Sequence, residues 1–416
     1  LPLTNTLNLG LMSLFIAGTI SCSKEKLPNQ TGFNPPWAEN YPELEVLWKT
    51  RLNPDSFLTS YDLVPVYHEG LILGKSYSNV GGKFAPFVFF DAETGDVVDT
   101  WNDYQESNFF QTTHTQRKVG DYLVLKSNTG INVINLNSRQ TQWKGSLPNS
   151  FHPVYSHDDV IYTEVQLSPT RVAIWRSPVS EQRWEYVYDY TASNEEPTFF
   201  GLSFGTLENG DQVMVWKGKD RLNYHQKTDL YAYNLSADSL IWKRSDLNYD
   251  MDEDEMKIEN GRVFGLSAKH AFSLYLETGQ TDWFVDIADI AARNAIPYYE
   301  NDHFHLNPGS MMITGTNGTL TLLSKATGNL RSFSRFKDDF AIGTYNPLVA
   351  KNGTLYLTDG SSLHLIDEFS GQLTASYKAS DRVRISDKVS FDPNRDLIYF
   401  HDGYYLYCAR IPSSVQ

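Results

Sequence analysis

From about Leu44 to Ile411 the chain alternates short apolar stretches with tight polar turns, and the alternation itself repeats. Each unit reads as a short strand, a tight turn, a strand of Val, Ile, Leu and Tyr, another apolar strand, a second tight turn, and a strand carrying an aromatic. The first turn recurs as Glu69-Gly70, Gly120-Asp121, Asp158-Asp159, Asn209-Gly210, Asn260-Gly261, Pro308-Gly309, Asn352-Gly353 and Asn394-Arg395. Gly and Asn tolerate the positive φ that two-residue hairpin turns require, so these dipeptides mark hairpins for a stated physical reason. Eight such turns predict eight four-stranded units.

The second turn is clearest in Asp91-Ala92-Glu93-Thr94-Gly95, Leu276-Glu277-Thr278-Gly279, Lys325-Ala326-Thr327-Gly328 and Glu368-Phe369-Ser370-Gly371. Trp48, Trp101, Trp143, Trp184, Trp242 and Trp283, followed by Phe333 and Tyr377, read as one recurring position and give the same count of eight. Trp48 precedes the first complete unit, however, while the last (Leu397 to Ile411) stops before an aromatic strand of its own. Circular closure accounts for both: Val46 to Leu52 would supply the outermost strand of the carboxyl-terminal unit, leaving the ring no open end. Roughly 370 residues shared among eight units gives about 47 each, the length of a four-stranded propeller blade. The predicted fold is all-β, an eight-bladed β-propeller spanning residues 44–416.

These units, with an apolar strand, Asp-x-x-Thr-Gly and a strand ending in Trp, resemble the pyrroloquinoline-quinone-type (PQQ-like, quinoprotein-like) propeller repeat. The alcohol dehydrogenases with this repeat hold an adjacent-cysteine disulfide against the cofactor ring, and no Cys-Cys occurs here. Their calcium and catalytic carboxylate find no counterpart in this chain, which is also shorter. The expectation is that neither PQQ nor calcium is bound.

Upstream of the repeats, Leu7 to Ile20 is an apolar run of signal-peptide length, short of the roughly 20 residues that cross a bilayer. It ends in Thr19-Ile20-Ser21-Cys22, which resembles the lipobox of bacterial lipoproteins, with Thr19 where Leu is usual. The resemblance implies that residues 1–21 are removed and that Cys22 carries the lipid. Residues 22–43, with Pro28, Pro35, Pro36 and Pro42 among polar residues, read as an extended tether. Lipobox and repeat together are similar to the eight-bladed lipoproteins of the outer-membrane assembly factor B (BamB-like) group. That likeness implies outer-membrane anchoring in the gram-negative envelope, on the periplasmic side or the cell surface, and partners among the β-barrel assembly components.

Composition narrows the remaining classes. Fifty acidic against 35 basic residues give a net charge of −15, which phosphate backbones would repel, so a nucleic-acid partner is not expected. The 14% aromatic content suits strands. Of the two cysteines, Cys408 lies in the last apolar strand and reads as a buried free thiol.

With strands lettered A to D from the axis outward, the A–B and C–D turns share one face, and the long insertions fall on the other. Binding groups sit on variable loops of a rigid frame, so the insertion-bearing face is the expected working surface. It would present Phe109, Phe110, Phe199, Phe200, Tyr298, Tyr299 and Phe304 for protein or sugar contacts if they are exposed, and would merely be sealed by them if they are buried. The acidic run Asp250 to Glu255 places Glu259 twelfth from Asn248, but Glu253 stands where a calcium loop needs Gly, favouring a solvated crossover. His303 and His305, near Glu300 and Asp302, are a weak candidate metal pair. No Gly-x-Ser-x-Gly, Walker or His-Glu-x-x-His motif occurs. The sequence thus predicts a non-enzymatic, membrane-anchored scaffold or adaptor for protein–protein interaction. A surface protein that binds or cleaves glycans is the alternative, and a PQQ-dependent dehydrogenase the remoter one.

Overall fold

The computed structural model describes residues 41–411 except 53–64, 76–86, 102, 104–115, 127–129, 148–153, 192–196, 221–227, 248–255, 268, 289–303, 316–318, 336–348, 359–361, 380–384, 386–388 and 403–404. Thirty-two strands form eight four-stranded antiparallel sheets. Blade 1 comprises Val66–His68, Leu71–Lys75, Phe87–Asp91 and Val97–Trp101, and blade 2 comprises Gln116–Val119, Tyr122–Lys126, Gly130–Asn135 and Gln140–Ser146. Blade 3 is built from Tyr155–His157, Val160–Ser168, Arg171–Pro178 and Glu185–Thr191, and blade 4 from Pro197–Thr206, Gln212–Asp220, Asp229–Asn234 and Ser239–Arg244. Lys257–Glu259, Arg262–Leu266, His270–Tyr275 and Thr281–Asp286 make blade 5; Phe304–Leu306, Ser310–Gly315, Thr319–Ser324 and Leu330–Arg335 make blade 6. Blade 7 holds Val349–Lys351, Thr354–Thr358, Ser362–Asp367 and Leu373–Lys378. Blade 8 takes strands A to C from Ser390–Phe391, Leu397–His401 and Tyr405–Arg410, and its strand D from Glu45–Arg51.

The predicted closure is therefore present, with Trp48 opposite Cys408 and Arg51 opposite Tyr405. Closure extends one blade further than the sequence suggested. The Leu44 amide donates to the Lys378 carbonyl (2.8 Å) and the Lys378 amide to that of Pro42 (3.0 Å), so Pro42–Leu44 runs along the outer edge of blade 7 before entering blade 8. Tyr41, buried, sits edge-on to His364 of blade 7 at 6.0 Å.

Eight buried apolar clusters occupy the eight seams between neighbouring blades, including the seam of blades 8 and 1, where Leu52, Tyr399, Leu406 and Cys408 meet Ile72, Val88 and Phe90. Both faces of every sheet are thus covered. That is why strands B and C read as continuous apolar runs (Phe87-Val88-Phe89-Phe90, Tyr122-Leu123-Val124-Leu125) in place of an alternating pattern.

Every strand D carries a one-residue bulge that leaves Leu47, Val98, Gln142, Val187, Ile241, Asp282, Arg331 or Thr374 without an opposite partner. The residue after the bulge is turned toward the next blade. Trp48, Trp143, Trp242 and Trp283 hold this position, and each indole N–H donates to the carbonyl that opens the next blade's C–D turn: Ala92 (3.2 Å), Val179 (2.8 Å), Leu276 (2.7 Å) and Lys325 (2.8 Å). The aromatics do not, however, share one position as the sequence reading had it. Trp101 and Tyr377 lie two residues further along their strands, Phe333 lies one further, and Trp184 sits in the C–D connection.

The Trp position also explains why Thr-Gly is found in only some units. Gly95, Gly279 and Gly328 have φ of +76°, +68° and +71°, and a Cβ on them would lie within 2.6–2.8 Å of the Trp48, Trp242 and Trp283 rings. In blades 2 and 4 the preceding blade offers Asp99 or Tyr188 at that position. The turns there take Arg139 and Asp238 at φ +59° and +52°, with Arg139 3.4 Å from the Asp99 carboxylate. In the C–D turns a positive-φ glycine stands where a side chain packs closely on the turn: an indole at Gly95, Gly279 and Gly328, and Leu322 at Gly371.

Candidate interaction surfaces

The turn face is stitched by side chains that stand just before the A–B turns. The first two clasps involve histidine: His68 Nε2 lies 2.7 Å from the Asn137 amide oxygen of blade 2, and His157 Nε2 lies 2.9 Å from that of Gln212 in blade 4. Lys325 of blade 6 donates to Glu259 of blade 5, the Asn307 amide donates to the Glu368 carbonyl (2.5 Å), and Lys351 donates to the Asp392 and Arg395 carbonyls (both 2.7 Å). Among the described residues, five of the eight seams carry such a clasp, which ties neighbouring blades together on the turn face. These residues were missed from the sequence, although a polar residue directly before five of the A–B turns (His68, His157, Glu259, Asn307 and Lys351) was available as a signal.

The Asp that begins an Asp-x-x-Thr-Gly turn caps that turn. Asp91 accepts from the Thr94 (2.8 Å) and Glu93 (2.9 Å) amides; Asp367 accepts from the Ser370 hydroxyl and amide (both 2.7 Å) and the Phe369 amide (3.2 Å). The hydrogen bonds from Thr94 and from Ser370 are the largest influences holding the two carboxyls below the usual aspartate range. A carboxyl held low in the folded chain stabilises it above its unfolded value, about pH 3.9, and that contribution is lost as the pH falls through the folded value. The melting temperature is therefore expected to drop progressively below about pH 4, less steeply in Asp91→Asn/Asp367→Asn. Parallel pH–melting curves for both forms would show the turns to be irrelevant to acid sensitivity.

The central channel is bordered by the short A strands. Their cations are engaged between blades: Lys118 donates to the Tyr67 carbonyl (3.0 Å) and Arg117 to the Ser156 hydroxyl (2.9 Å). The recurring indoles pack against neighbouring turns.

Among the candidate aromatics, Phe199 and Phe200 (0% and 1% exposed) lie within strand A of blade 4, and Phe304 (1%) begins strand A of blade 6. These three belong to the ring's interior and present nothing to a partner, which corrects the expectation that they stand on crossover loops. Around Phe199 and Phe200, Glu185–Thr191 and Pro197–Thr206 are strands. Phe109, Phe110, Tyr298 and Tyr299 lie outside the described residues, as do Cys22, His303 and the acidic run at 250–255.

Phe199 joins an aromatic block at the seam of blades 3 and 4. Trp216 stacks on Tyr231 (5.1 Å, 2°), Tyr188 lies 5.0 Å from Trp216 and 5.7 Å from Tyr233, and Lys243 caps Tyr190 and Tyr231 at 5.4 and 5.1 Å. Burial and the hydrogen bond to Asp238 push the Tyr233 phenol up to about 12.

Among the described residues no three His, Cys, Asp or Glu side chains converge to hold a metal ion. His305 Nε2 is 2.7 Å from the Glu368 carboxylate, and Glu259, twelfth in the acidic loop, is engaged by Lys325. Cys408 is buried, and burial pushes its thiol up to about 12, so it is unreactive at neutral pH.

The arrangement defines an eight-bladed β-propeller. Three solved structures are similar to it, and the likeness is one of fold. BamB from Moraxella catarrhalis superposes with a TM-score of 0.56 at 10% identity over 88% of this chain and 99% of its own. A europium-containing methanol dehydrogenase gives 0.59 at 9% identity over 91% and 95%. Sqt1 of Saccharomyces cerevisiae gives 0.60 at 10% identity over 89% and 100%. No protein-family model and no curated protein matches the sequence. No helix among the described residues is long and apolar enough to cross a membrane, which says nothing of strands.

Proposed function

We propose that this protein is a non-enzymatic propeller scaffold, held at the gram-negative outer membrane by a lipid on Cys22, that mediates protein–protein contacts in the envelope. The observation that carries the reading is the joining of a clasped, doubly closed ring to an amino-terminal segment of lipobox type. A ring whose inner cations and recurring indoles serve blade-to-blade contacts, and whose turn carboxylates cap their own turns, is a frame for binding. The structural likeness to BamB supports partners among the β-barrel assembly components; fold alone does not transfer function, and the likeness to a dehydrogenase marks the other course the same frame can take.

Cys22→Ser should move the protein from the membrane to the soluble fraction, since a multiply acylated cysteine contributes about 0.8 kcal/mol per buried methylene. Continued partition of the variant with membranes would remove the lipid from the account.

A further inference from the structure

We propose that the rim of the propeller at the seam of blades 8 and 1 lies against the lipid surface to which the chain is tethered. This rests on the anchoring reading above and adds an orientation to it.

The bulge of each strand D supplies two equivalent positions, the residue before it and the bulged residue itself. In blades 8 and 1, and only there among the described residues, both are exposed aliphatics: Val46 and Leu47 in one strand, Val97 and Val98 in the other, 37–57% exposed. The same pair is Thr141 and Gln142 in blade 2 and Leu330 and Arg331 in blade 6, and in blade 3 the bulged Val187 is buried. Ten large hydrophobic residues are exposed in the described chain, and four of them stand at this one seam. The first strand reaches the turn that leads into the second: Trp48 packs on Gly95, two residues before Val97, and the Thr50 hydroxyl donates to the Gly95 carbonyl (2.7 Å). The aliphatics therefore flank one continuous stretch of rim.

The occupant follows from where the chain arrives. Tyr41 and Pro42–Leu44 bring it in along blade 7, directly into the strand that bears Val46 and Leu47. Cys22 lies 41 − 22 = 19 residues upstream of Tyr41. At no more than about 3.3–3.6 Å per residue, a lipid there keeps this rim within about 65 Å of the bilayer. A tether of that length holds the rim at an effective concentration near the millimolar range, so a patch too weak to bind membranes by itself still determines which side faces them. The electrostatics agree. The chain carries −15 overall, yet within blade 8 Glu45 lies 3.0 Å from Arg410 and across the seam Glu93 lies 3.8 Å from Arg395. Arginine stems of this kind lie along apolar surface with their charged ends toward headgroups.

The test uses the full-length lipidated protein in vesicles of three parts phosphatidylethanolamine to one part phosphatidylglycerol. An environment-sensitive fluorophore is placed by Leu47→Cys, Val98→Cys, Gln142→Cys or Arg331→Cys, all at the same bulge position on different blades. The expected result is a blue shift with about a twofold intensity rise, and quenching by brominated lipid, at 47 and 98 but not at 142 and 331. If protein that floats with the vesicles shows all four labels equally wet, the docking is overturned and the anchor stands. Protein that does not float overturns both. Protection of 47 and 98 in detergent solution, dependent on protein concentration, would place a second copy on the patch and overturn the lipid assignment.

Discussion

A chain beginning after Leu52 is expected to lose its cooperative thermal transition or to become insoluble, although only one of thirty-two strands is removed. The reason is topological. Glu45–Arg51 is strand D of the last blade, and its loss uncovers the Tyr405–Arg410 edge, a ready template for pairing with other chains. It also empties the seam between the last and first blades: Trp48 leaves Gly95 and Tyr399, and Leu52 leaves a cluster that includes Ile72, Phe90 and Leu406. A ring opened at a seam loses contacts on both flanking blades. Circular dichroism melts and size-exclusion chromatography measure the outcome; an unchanged, reversible transition in the truncated chain would mean that the seam does not close the fold.

The second large effect is expected at Trp283. Its replacement by alanine should lower the unfolding free energy by about 3–5 kcal/mol, the range for a buried aromatic whose cavity cannot fully collapse. The ring packs between blades 5 and 6, and its N–H satisfies the Lys325 carbonyl (2.8 Å). Gly328→Ala should destabilise in its own right, since φ of +71° is strained for any other side chain and the added Cβ would lie 2.8 Å from the indole. The informative quantity is the coupling. With Trp283 already removed, the part of the Gly328→Ala penalty that comes from the indole disappears while the contact with Val285 (2.9 Å) and the backbone part remain, so the two changes together should cost less than their sum by about 1 kcal/mol. Strict additivity in denaturant titrations would show that indole and glycine are not matched as proposed.

That match bears on what the sequence disclosed. The fold was legible because its repeating elements are local. Six of the eight A–B turns take positive φ, at Glu69-Gly70, Gly120, Asp158, Gly210, Asn260-Gly261 and Asn352-Gly353. Pro308-Gly309 and Asn394-Arg395 turn without it and were marked by composition alone; together the eight fixed the count of blades. Closure was legible because Trp48 stood upstream of any complete unit. The register of the aromatics was less so. Trp101 and Trp143 look alike in sequence, but the bulge decides which side chain faces the next blade, and bulges leave no reliable local mark. The Thr-Gly motif seemed degenerate for a related reason: Arg139 and Asp238 occupy glycine's place where the preceding blade offers no tryptophan, a dependence between residues about 40 apart.

The working face was read less well. Strand A has two to four residues in the other blades, so the repeat does not signal the length of the strand that holds Phe199-Phe200-Gly201. In blade 4 it has ten, with a register shift between Phe200 and Ser203 and Gly201 at φ +62°. A glycine inside an apolar run is the signal of a bulged strand and would have placed both phenylalanines in the core. The clasps from His68, His157, Glu259, Asn307 and Lys351 went unnoticed because each partner lies in the next blade, at a separation no motif scan covers.

The scaffold reading is tested most directly by crosslinking the full-length protein in its native envelope, capturing it, and identifying what is attached by mass spectrometry. Recovery of β-barrel assembly components, lost when the membrane anchor is removed by Cys22→Ser, is the predicted result. Recovery of no protein partner, together with clear binding of the purified ring to one class of saccharide on an array, would contradict it.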